Sequence, residues 1–252
     1  MLGAIEVAGV SKIFQGEVAL EALREVSIDI APGQFVSFVG PSGCGKSTLL
    51  KLIGGLLEPS SGRINVDGRE VTQPRRDIGV MFQTPVLFPW RTVLENVLLP
   101  IEVFGLDPRG ALDKARDILR LVGLNERERA YPRELSGGMQ QRTALSRVLI
   151  TDPPIILMDE PFGALDEFTR ERMNLELLRI WQERRQTIIF VTHSIAEAVF
   201  LSDRVVVMGT APGRVLAVRD VPLERPRSIE LMKSPQFAAT VFELREYLGV
   251  AR

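Results

Sequence analysis

Short apolar stretches and helically spaced apolar residues alternate along most of the chain. Residues 26–30 alternate apolar and polar side chains, which is the pattern of a half-buried antiparallel strand. Four later stretches are almost continuously apolar, as in strands covered on both faces: residues 35–39, 155–158, 188–191 and 205–208. Buried strands separated by helical patterns predict an α/β fold with a mainly parallel sheet. Alternating patterns in roughly the first sixty residues predict a small antiparallel sheet that packs on this core.

The hydrophobic pattern changes in the middle of the chain and again near its end. Residues from about 92 to 148 show helical patterns and no strand pattern, which predicts a helical subdomain inserted into the α/β core. Near the end, Ser234 as an N-cap and Pro235 in the first turn predict an amphipathic helix. We therefore expect one domain over residues 1–225 and a C-terminal helical extension over residues 226–252.

The composition excludes several classes of protein. With 45% hydrophobic residues among 252, the chain can bury a substantial core, which excludes a disordered protein. The 31 Lys and Arg residues nearly balance the 32 Asp and Glu residues, which argues against a broadly basic nucleic-acid binder. Cys44 is the single cysteine, so no internal disulfide is expected. No secretory signal and no membrane-spanning apolar run are predicted, so work at a membrane would need a partner.

A glycine-rich loop follows the apolar stretch 35–39 and precedes a helical pattern. Its sequence fits G-x-x-x-x-G-K-[ST] in full, in the strand–loop–helix context that this phosphate-binding motif requires. Backbone N–H groups and the helix N-terminus would face phosphate oxygens. Lys46 would bridge the β- and γ-phosphates, and Ser47 would bind Mg²⁺. The predicted nucleotide-binding residues of this loop are Gly40, Pro41, Ser42, Gly43, Cys44, Gly45, Lys46, Ser47 and Thr48.

Two acidic residues, Asp159 and Glu160, end the apolar stretch 155–158. Acids beside a buried strand are costly unless a cation or hydrogen bonds compensate for their burial. With the phosphate-binding loop present, Asp159 is predicted to hold Mg²⁺ through its water shell and Glu160 to polarise the attacking water. The alternative is a pair of surface acids at a strand end.

A second candidate anion site lies far along the chain from the first. Ser136 can cap the helix that follows it, and Gly137 and Gly138 expose backbone donors at the positive end of that helix. One nucleotide does not obviously need two such sites from one chain. The alternative is a capped helix whose glycines allow close packing.

Together with these motifs, the sequence Leu-Ser-Gly-Gly-Met-Gln at 135–140 resembles the signature of ATP-binding cassette (ABC) ATPases. The resemblance extends over about residues 5–221. It implies a P-loop NTPase (RecA-like) core with a small antiparallel β subdomain and an inserted helical subdomain. It also implies that the protein hydrolyses ATP with Mg²⁺.

The resemblance assigns roles to four further residues. Phe14 is placed to stack on adenine, and Gln83 is similar to the glutamine that contacts Mg²⁺ and water. Asp166, in Ala-Leu-Asp, looks like the acidic residue of the D-loop at the nucleotide. His193, the single histidine, looks like the switch histidine that contacts the γ-phosphate and orients Glu160. The resemblance thus implies a catalytic set of Glu160, His193, Gln83 and Lys46. The alternatives are that Phe14 is a core aromatic and that His193 is a structural histidine.

The segments 83–97 and 208–214 resemble those of importers for nitrate, sulfonates, taurine and related small molecules. Residues 82–90 are rich in aromatics and prolines, and if exposed they offer a docking groove for a short helix of a membrane subunit. The alternative is that they pack the junction with the helical subdomain.

The resemblance also implies partners. We expect a second copy of the chain, with two ATP molecules sandwiched head to tail, and a transmembrane permease above the pair. A periplasmic or lipid-anchored substrate-binding protein would complete the system. The chain itself is expected at the cytoplasmic face of the membrane, as a peripheral subunit, and no nucleic acid is expected. The alternatives are an exporter ATPase, a soluble mechanical ATPase acting on nucleic acid or ribosomes, and a non-hydrolysing nucleotide-binding regulator.

Overall fold

The computed structural model describes residues 2–249. Its strands are β1 (Ile5–Phe14), β2 (Leu20–Ile30), β3 (Phe35–Val39), β4 (Ser61–Val66), β5 (Arg69–Glu70), β6 (Ile78–Met81), β7 (Ile155–Asp159), β8 (Thr187–Val191), β9 (Arg204–Gly209) and β10 (Arg214–Asp220). Its α-helices are α1 (Lys46–Ile53), α2 (Val93–Phe104), α3 (Ala111–Leu121), α4 (Gly137–Leu149), α5 (Glu167–Arg184), α6 (Ile195–Leu201) and α7 (Pro235–Tyr247). Short 3₁₀ turns cover Asn125–Arg127, Pro132–Glu134 and Ile229–Lys233.

The strands form two sheets. One sheet has the order β2-β1-β4-β5 and is antiparallel throughout. The other has the order β10-β9-β3-β8-β7-β6, in which every pair is parallel except β10 with β9. Every residue of β3, β7 and β8 is buried, which explains their continuous apolar sequences. The predicted α/β class with a small antiparallel sheet is confirmed.

The parallel sheet separates two apolar cores. On one face, α1 and the antiparallel sheet pack together through residues such as Leu49, Leu50 and Val26. On the other face, α2 to α7 cover the sheet, and Trp181 packs edge-on against Phe35 with ring centroids 6.0 Å apart. Both faces of the central strands are therefore covered.

The helices between residues 92 and 148 are α2, α3 and α4, with two of the 3₁₀ turns between the last two. The hydroxyl of Thr92 accepts a hydrogen bond from the backbone N–H of Glu95, and this starts α2. No strand lies in this stretch, all of which is described. We propose, in line with the sequence, that this stretch is a subdomain of its own.

The tail of the described chain packs back on the core. The guanidinium of Arg227 is buried and donates to the carbonyls of Val199, Phe200 and Ser202 at the end of α6. Burial lowers the pKa of Arg227 to about 10. Helix α7 then begins as its sequence predicts, with the Ser234 hydroxyl accepting from a backbone N–H. The division at residue 225 stays a prediction, and residues 1 and 250–252 lie outside the described residues.

The short strand β6 has no counterpart among the predicted strands. It is four residues long, contains Gly79 and forms an edge of the sheet. Such a strand gives no sustained apolar run, and its pairing with β7 supplies the order that its own sequence lacks. No helix among residues 2–249 is long and apolar enough to cross a membrane.

Candidate functional site

The loops that follow β3, β8, β7 and β6 lie along one edge of the sheet. These four strands are neighbours and run parallel, so their carboxyl ends meet at the same edge, where α/β proteins bind ligands. The edge therefore gathers the glycine-rich loop 40–45, the pair Asp159 and Glu160, His193 and Gln83.

The structure explains the three glycines of the phosphate-binding loop in two different ways. A Cβ atom at Gly40 would lie 2.4 Å from the Met208 carbonyl oxygen, and one at Gly45 would lie 2.4 Å from Leu23 Cδ2. Backbone packing therefore requires glycine at both positions. Gly43 also has a positive φ, of 78°, but a Cβ there would meet nothing within 4 Å. The space beside Gly43 is open to a ligand, as the phosphate-binding prediction requires.

The side chain of Lys46 is folded onto the loop. Its ammonium donates to the carbonyl oxygens of Gly40 and Pro41, at 2.8 and 3.0 Å, and the residue is only 5% exposed. Phosphate oxygens are stronger acceptors than these carbonyls because they are charged. Cys44 occupies one of the unspecified positions of the motif and is buried against Lys46. Ser42 is exposed at the rim of the loop.

Ser47 and Asp159 meet although 112 residues separate them. The Ser47 hydroxyl donates to Asp159 Oδ1 at 2.7 Å. Burial raises the pKa of the Asp159 carboxyl, the hydrogen bond from Ser47 opposes this, and the charge of Glu160 adds to it. A cation bound here would relieve the burial of this charge. Hydroxyl and carboxylate oxygens suit Mg²⁺.

The site supplies too few protein ligands to hold a metal ion by itself. Among residues 2–249, no group of three or more His, Cys, Asp or Glu side chains is placed to do so. Mg²⁺ is commonly held by one or two protein groups together with substrate phosphates. The pair of Ser47 and Asp159 beside a phosphate-binding loop fits that pattern.

Glu160 lies between the phosphate-binding loop and the single histidine. Its Oε2 is 3.6 Å from Nδ1 of His193, and its backbone N–H donates to the Val191 carbonyl at the end of β8. The backbone of Glu160 has a φ of 45°, an uncommon conformation for a residue with a side chain. The imidazole of His193 is more than half exposed, so both groups are accessible to a ligand at this edge.

Gln83 is exposed, and its loop is tied to the helix that follows the second glycine motif. Gln141 of α4, which is 2% exposed, donates from Nε2 to the Gln83 carbonyl at 2.7 Å. Arg147 of the same helix donates to the Pro85 and Val86 carbonyls. The sequence analysis missed Gln141 and Arg147, because nothing in the local pattern of α4 marks residues that reach another loop.

The second glycine motif forms the start of α4. The Ser136 hydroxyl accepts from the Met139 backbone N–H at 3.3 Å, which caps the helix. A Cβ at Gly138 would lie 3.0 Å from Thr169 Cγ2, so close packing accounts for this glycine. A Cβ at Gly137 would meet nothing within 4 Å, so packing in this chain does not account for it.

The structure places the remaining two predicted residues on other elements. Asp166 caps α5, where its carboxylate accepts from the hydroxyl and the backbone N–H of Thr169, and these bonds lower its pKa. Phe14 ends β1 with 37% of its surface exposed and the Lys12 ammonium 5.3 Å from its ring centroid. Phe14 is therefore not a core residue, and its face is available to a ligand.

The predicted residues thus fall into groups. The phosphate-binding loop, Asp159, Glu160 and His193 form one cluster. The start of α4 and the start of α5 form another, through Gly138 and Thr169. Within residues 2–249, no hydrogen bond joins residues 136–138 to residues 40–48. Each chain therefore presents two separate candidate phosphate sites.

A P-loop NTPase core with an antiparallel sheet, a helical insertion and this arrangement of acid and histidine defines an ATP-binding cassette. The chain belongs to the ABC transporter family, whose model matches residues 23–163.

Two import ATP-binding proteins are similar to this chain over nearly its whole length. It is 49% identical to the taurine import ATP-binding protein TauB of Rhizobium johnstonii, over 91% of this chain and 89% of that protein. It is 41% identical to the aliphatic sulfonates import ATP-binding protein SsuB of Bacillus cereus, over 98% of this chain and 97% of that protein. Each is a protein that this chain is similar to.

Solved structures of cassettes share the fold. The dimeric, post-hydrolysis state of the ATP-binding cassette MJ0796 bound to ADP and Pi matches with a TM-score of 0.78 and 34% identity. The match covers 87% of this chain and 100% of the MJ0796 chain. CbiO1 of Clostridium perfringens, part of the ABC transporter complex cbiONQ, matches with the same TM-score, 27% identity, and coverage of 96% and 95%.

Proposed function

We propose that this protein is the ATP-hydrolysing subunit of an ABC importer for a small sulfonate-type molecule. The observation that carries the ATPase part is the cluster of Ser47, Asp159, Glu160 and His193 at the mouth of the phosphate-binding loop. The importer part is supported by the relatives named for taurine and sulfonate import. An exporter ATPase has no comparable support.

The chain's residues divide the chemistry of ATP hydrolysis. The ammonium of Lys46 leaves its two carbonyl acceptors and binds the β- and γ-phosphates. The Ser47 hydroxyl and the Asp159 carboxylate, with the side chain of Gln83, would hold Mg²⁺, which when bound neutralises charge on these phosphates. The Phe14 ring stacks on adenine.

Glu160 and His193 act on the attacking water. The Glu160 carboxylate accepts a hydrogen bond from the water and so orients it toward the γ-phosphorus. The exposed imidazole of His193, 3.6 Å from this carboxylate, keeps it in place and contacts the γ-phosphate. The uncommon backbone of Glu160 aims its side chain away from the sheet and into the site.

The second phosphate site belongs to the partner's nucleotide. We infer that two copies pair head to tail, so that Ser136, Gly137 and Gly138 of one chain meet the ATP on the phosphate-binding loop of the other, with Asp166 close by. The similar MJ0796 cassettes are dimeric, which supports this pairing. The open space at Gly137 is explained if the partner's phosphate fills it.

The pair acts on a permease at the membrane. Most residues of 82–90 are exposed, with Trp90 at 69% and Val86 at 60%, and the rings of Phe88 and Trp90 are 5.1 Å apart. This apolar surface, tied to α4 through the Gln83 carbonyl, is where we place the docking helix of the permease. The pair then lies at the cytoplasmic face of the membrane, with a substrate-binding protein on the opposite side.

The test is reconstitution of the complete importer in vesicles. The chain, the permease and the binding protein encoded beside it are purified together, ATP is supplied on the side of the chain, and uptake of labelled taurine and of alkanesulfonates is measured. We expect uptake that requires ATP and Mg²⁺. Trp90→Ala should reduce copurification with the permease while isolated ATP binding persists, with the exposed Phe242→Ala on α7 as the matched control. Phosphate release without any coupled uptake would contradict the importer assignment.

A further inference from the structure

A buried carboxyl group lies directly behind the switch histidine and has no part in the chemistry described above. Glu197, in α6, is only 7% exposed. Burial raises the pKa of this carboxyl, and a hydrogen bond from Thr192 is the main opposing influence. A buried carboxyl without compensating partners is costly, so its contacts show what it stabilises.

The contacts of Glu197 hold the loop that carries His193 on both sides. The Thr192 hydroxyl donates to Glu197 Oε2, and the same hydroxyl accepts from the Ser194 backbone N–H at 3.0 Å. The Ser194 hydroxyl in turn accepts from the Glu197 backbone N–H at 3.3 Å. Thr192 is 2% exposed, so its hydroxyl depends on these partners. Thr192 is thereby fixed to the carboxyl of Glu197, and Ser194 is fixed to the Thr192 hydroxyl and to the backbone of Glu197.

The same carboxyl also faces α5. The side chain of Asn174 and the positive charge of Arg170, both in α5, lower the pKa of Glu197 against the effect of burial. Arg170 donates from Nη2 to the carbonyl of Leu165, at 2.9 Å, in the loop that leads to Asp166. Glu197 therefore lies close to α5, while its hydrogen bonds run to Thr192 and Ser194.

We propose that Glu197 is a positioning residue that fixes the His193 loop to the start of α6 and so sets the position of His193 beside Glu160. The proposal rests on the proposed function, in which His193 orients Glu160. Residues that hold a catalytic group in place act on the chemical step more than on substrate binding, because small displacements of such groups are costly in rate.

The first experiment separates the rate of the chemical step from nucleotide affinity. Thr192→Val and Glu197→Leu remove the two ends of the hydrogen bond, and both should lower kcat by about 10–100-fold with unchanged ATP affinity. Glu197→Gln keeps an oxygen that accepts from Thr192, and its kcat should stay close to the wild-type value. The matched control is Thr240→Val in α7, where a buried hydroxyl bonds only within its own helix.

The second experiment observes His193 directly. Because the chain contains a single histidine, a tag-free sample labelled in histidine gives one set of imidazole NMR signals. Thr192→Val and Glu197→Leu should displace or broaden these signals, whereas Glu197→Gln and Thr240→Val should leave them near their wild-type positions. Circular dichroism identifies variants that fail to fold, and Thr192→Val, which removes no charge, serves if Glu197→Leu is among them.

Two results would overturn the proposal. One is wild-type kcat and unmoved imidazole signals in folded Thr192→Val. The other is an equal loss of kcat in Thr240→Val, which would reduce the effect to general stability. A wild-type chain that releases no phosphate from ATP would contradict the proposed function instead, and the NMR comparison would still decide the role of Glu197.

Discussion

The position of the Glu160 side chain is set by its own backbone and by two neighbouring strands. It follows β7, its N–H is bonded to the end of β8, and its carboxylate lies 3.6 Å from His193. It is the first residue after β7, and its side chain takes no part in the contact between Asp159 and Ser47. This geometry suits a group that orients water.

Glu160→Gln keeps the shape of this side chain and removes its charge. We expect the rate of phosphate release to fall by about 10²–10⁴, the usual effect of losing one well-placed proton acceptor. ATP binding should persist, and an ATP-bound dimer should accumulate on size-exclusion chromatography. The control is Glu183→Gln, which removes an exposed carboxylate of α5. Near wild-type turnover in Glu160→Gln would contradict the assignment.

Phe14 is tested through binding. Its ring at the end of β1 is 37% exposed and belongs to neither apolar core. Phe14→Ala should weaken ATP binding by about 1–3 kcal/mol, the scale of base–aromatic stacking, whereas Phe14→Tyr should preserve it. Titration calorimetry with ATP measures the difference, with Phe242→Ala as control. If Phe14→Ala binds ATP as the wild type does, the stacking role is wrong.

Local sequence motifs identify residues whose chemistry depends on their immediate neighbours in the sequence. Lys46 and Ser47 could be predicted because the loop, the preceding strand and the following helix are contiguous. Glu197 could not be predicted, because the role of its carboxyl depends on Thr192 and on residues of α5. Those residues of α5 lie more than twenty positions away in the sequence. Side-chain networks of this kind need the tertiary structure.

The start of α4 separates two reasons for placing glycine on a helix. Gly138 faces Thr169 of α5 at a distance that leaves little room for a methyl group, and Gly137 faces open space. Packing within the chain explains Gly138, and the proposed contact with a partner's nucleotide explains the adjacent Gly137.

Alanine substitutions distinguish these two reasons. Gly138→Ala should lower the melting temperature, because Thr169 Cγ2 must move to admit the new Cβ. Gly137→Ala should leave the melting temperature unchanged or raise it, since alanine is favoured over glycine in helices by about 1 kcal/mol. It should nevertheless reduce ATP hydrolysis, because the methyl group occupies the space proposed for the partner's phosphate. Full activity of Gly137→Ala would exclude that contact.

At the scale of elements, the sequence predicted strands better where they are buried. The four continuously apolar strands were each predicted, since burial on both faces leaves an unmistakable pattern. β6 was missed because an edge strand with a glycine takes its conformation from β7. That miss affects the site, since β6 delivers Gln83 to the sheet edge.

The whole molecule has two candidate phosphate sites that do not meet within one chain. If the head-to-tail pairing is correct, each nucleotide uses Lys46 of one chain and Ser136 of the other. The pairing then predicts how lesions in two chains combine.

Mixing two inactive variants tests the pairing. Lys46→Ala removes the phosphate cation from both sites of a homodimer, and Ser136→Arg places a bulky side chain at both. In the mixed dimer both lesions fall on one composite site and the other is wild type, so mixing should restore part of the ATPase activity. The size of this recovery depends on whether one intact site suffices.

A crosslinking experiment removes that dependence. Cys44 is first replaced, and cysteines are introduced at Ser42, which is exposed at the loop rim, and at Ser136 in separate chains. ATP should increase disulfide formation between the chains. No ATP-dependent crosslink between the chains, together with no recovery on mixing, would rule out the pairing.

The anchoring of Arg227 makes the C-terminal segment an integral part of the folding unit. Its guanidinium satisfies carbonyls at the end of α6, the helix that begins just after His193, and Leu244 of α7 is 1% exposed in the main core. Truncation after residue 225 would therefore leave carbonyl oxygens at the end of α6 without their hydrogen-bond donor. Denaturant unfolding of the full chain should show one cooperative transition, without an early phase belonging to the last helix. A label or fusion partner should therefore be attached after α7 and should not replace that helix.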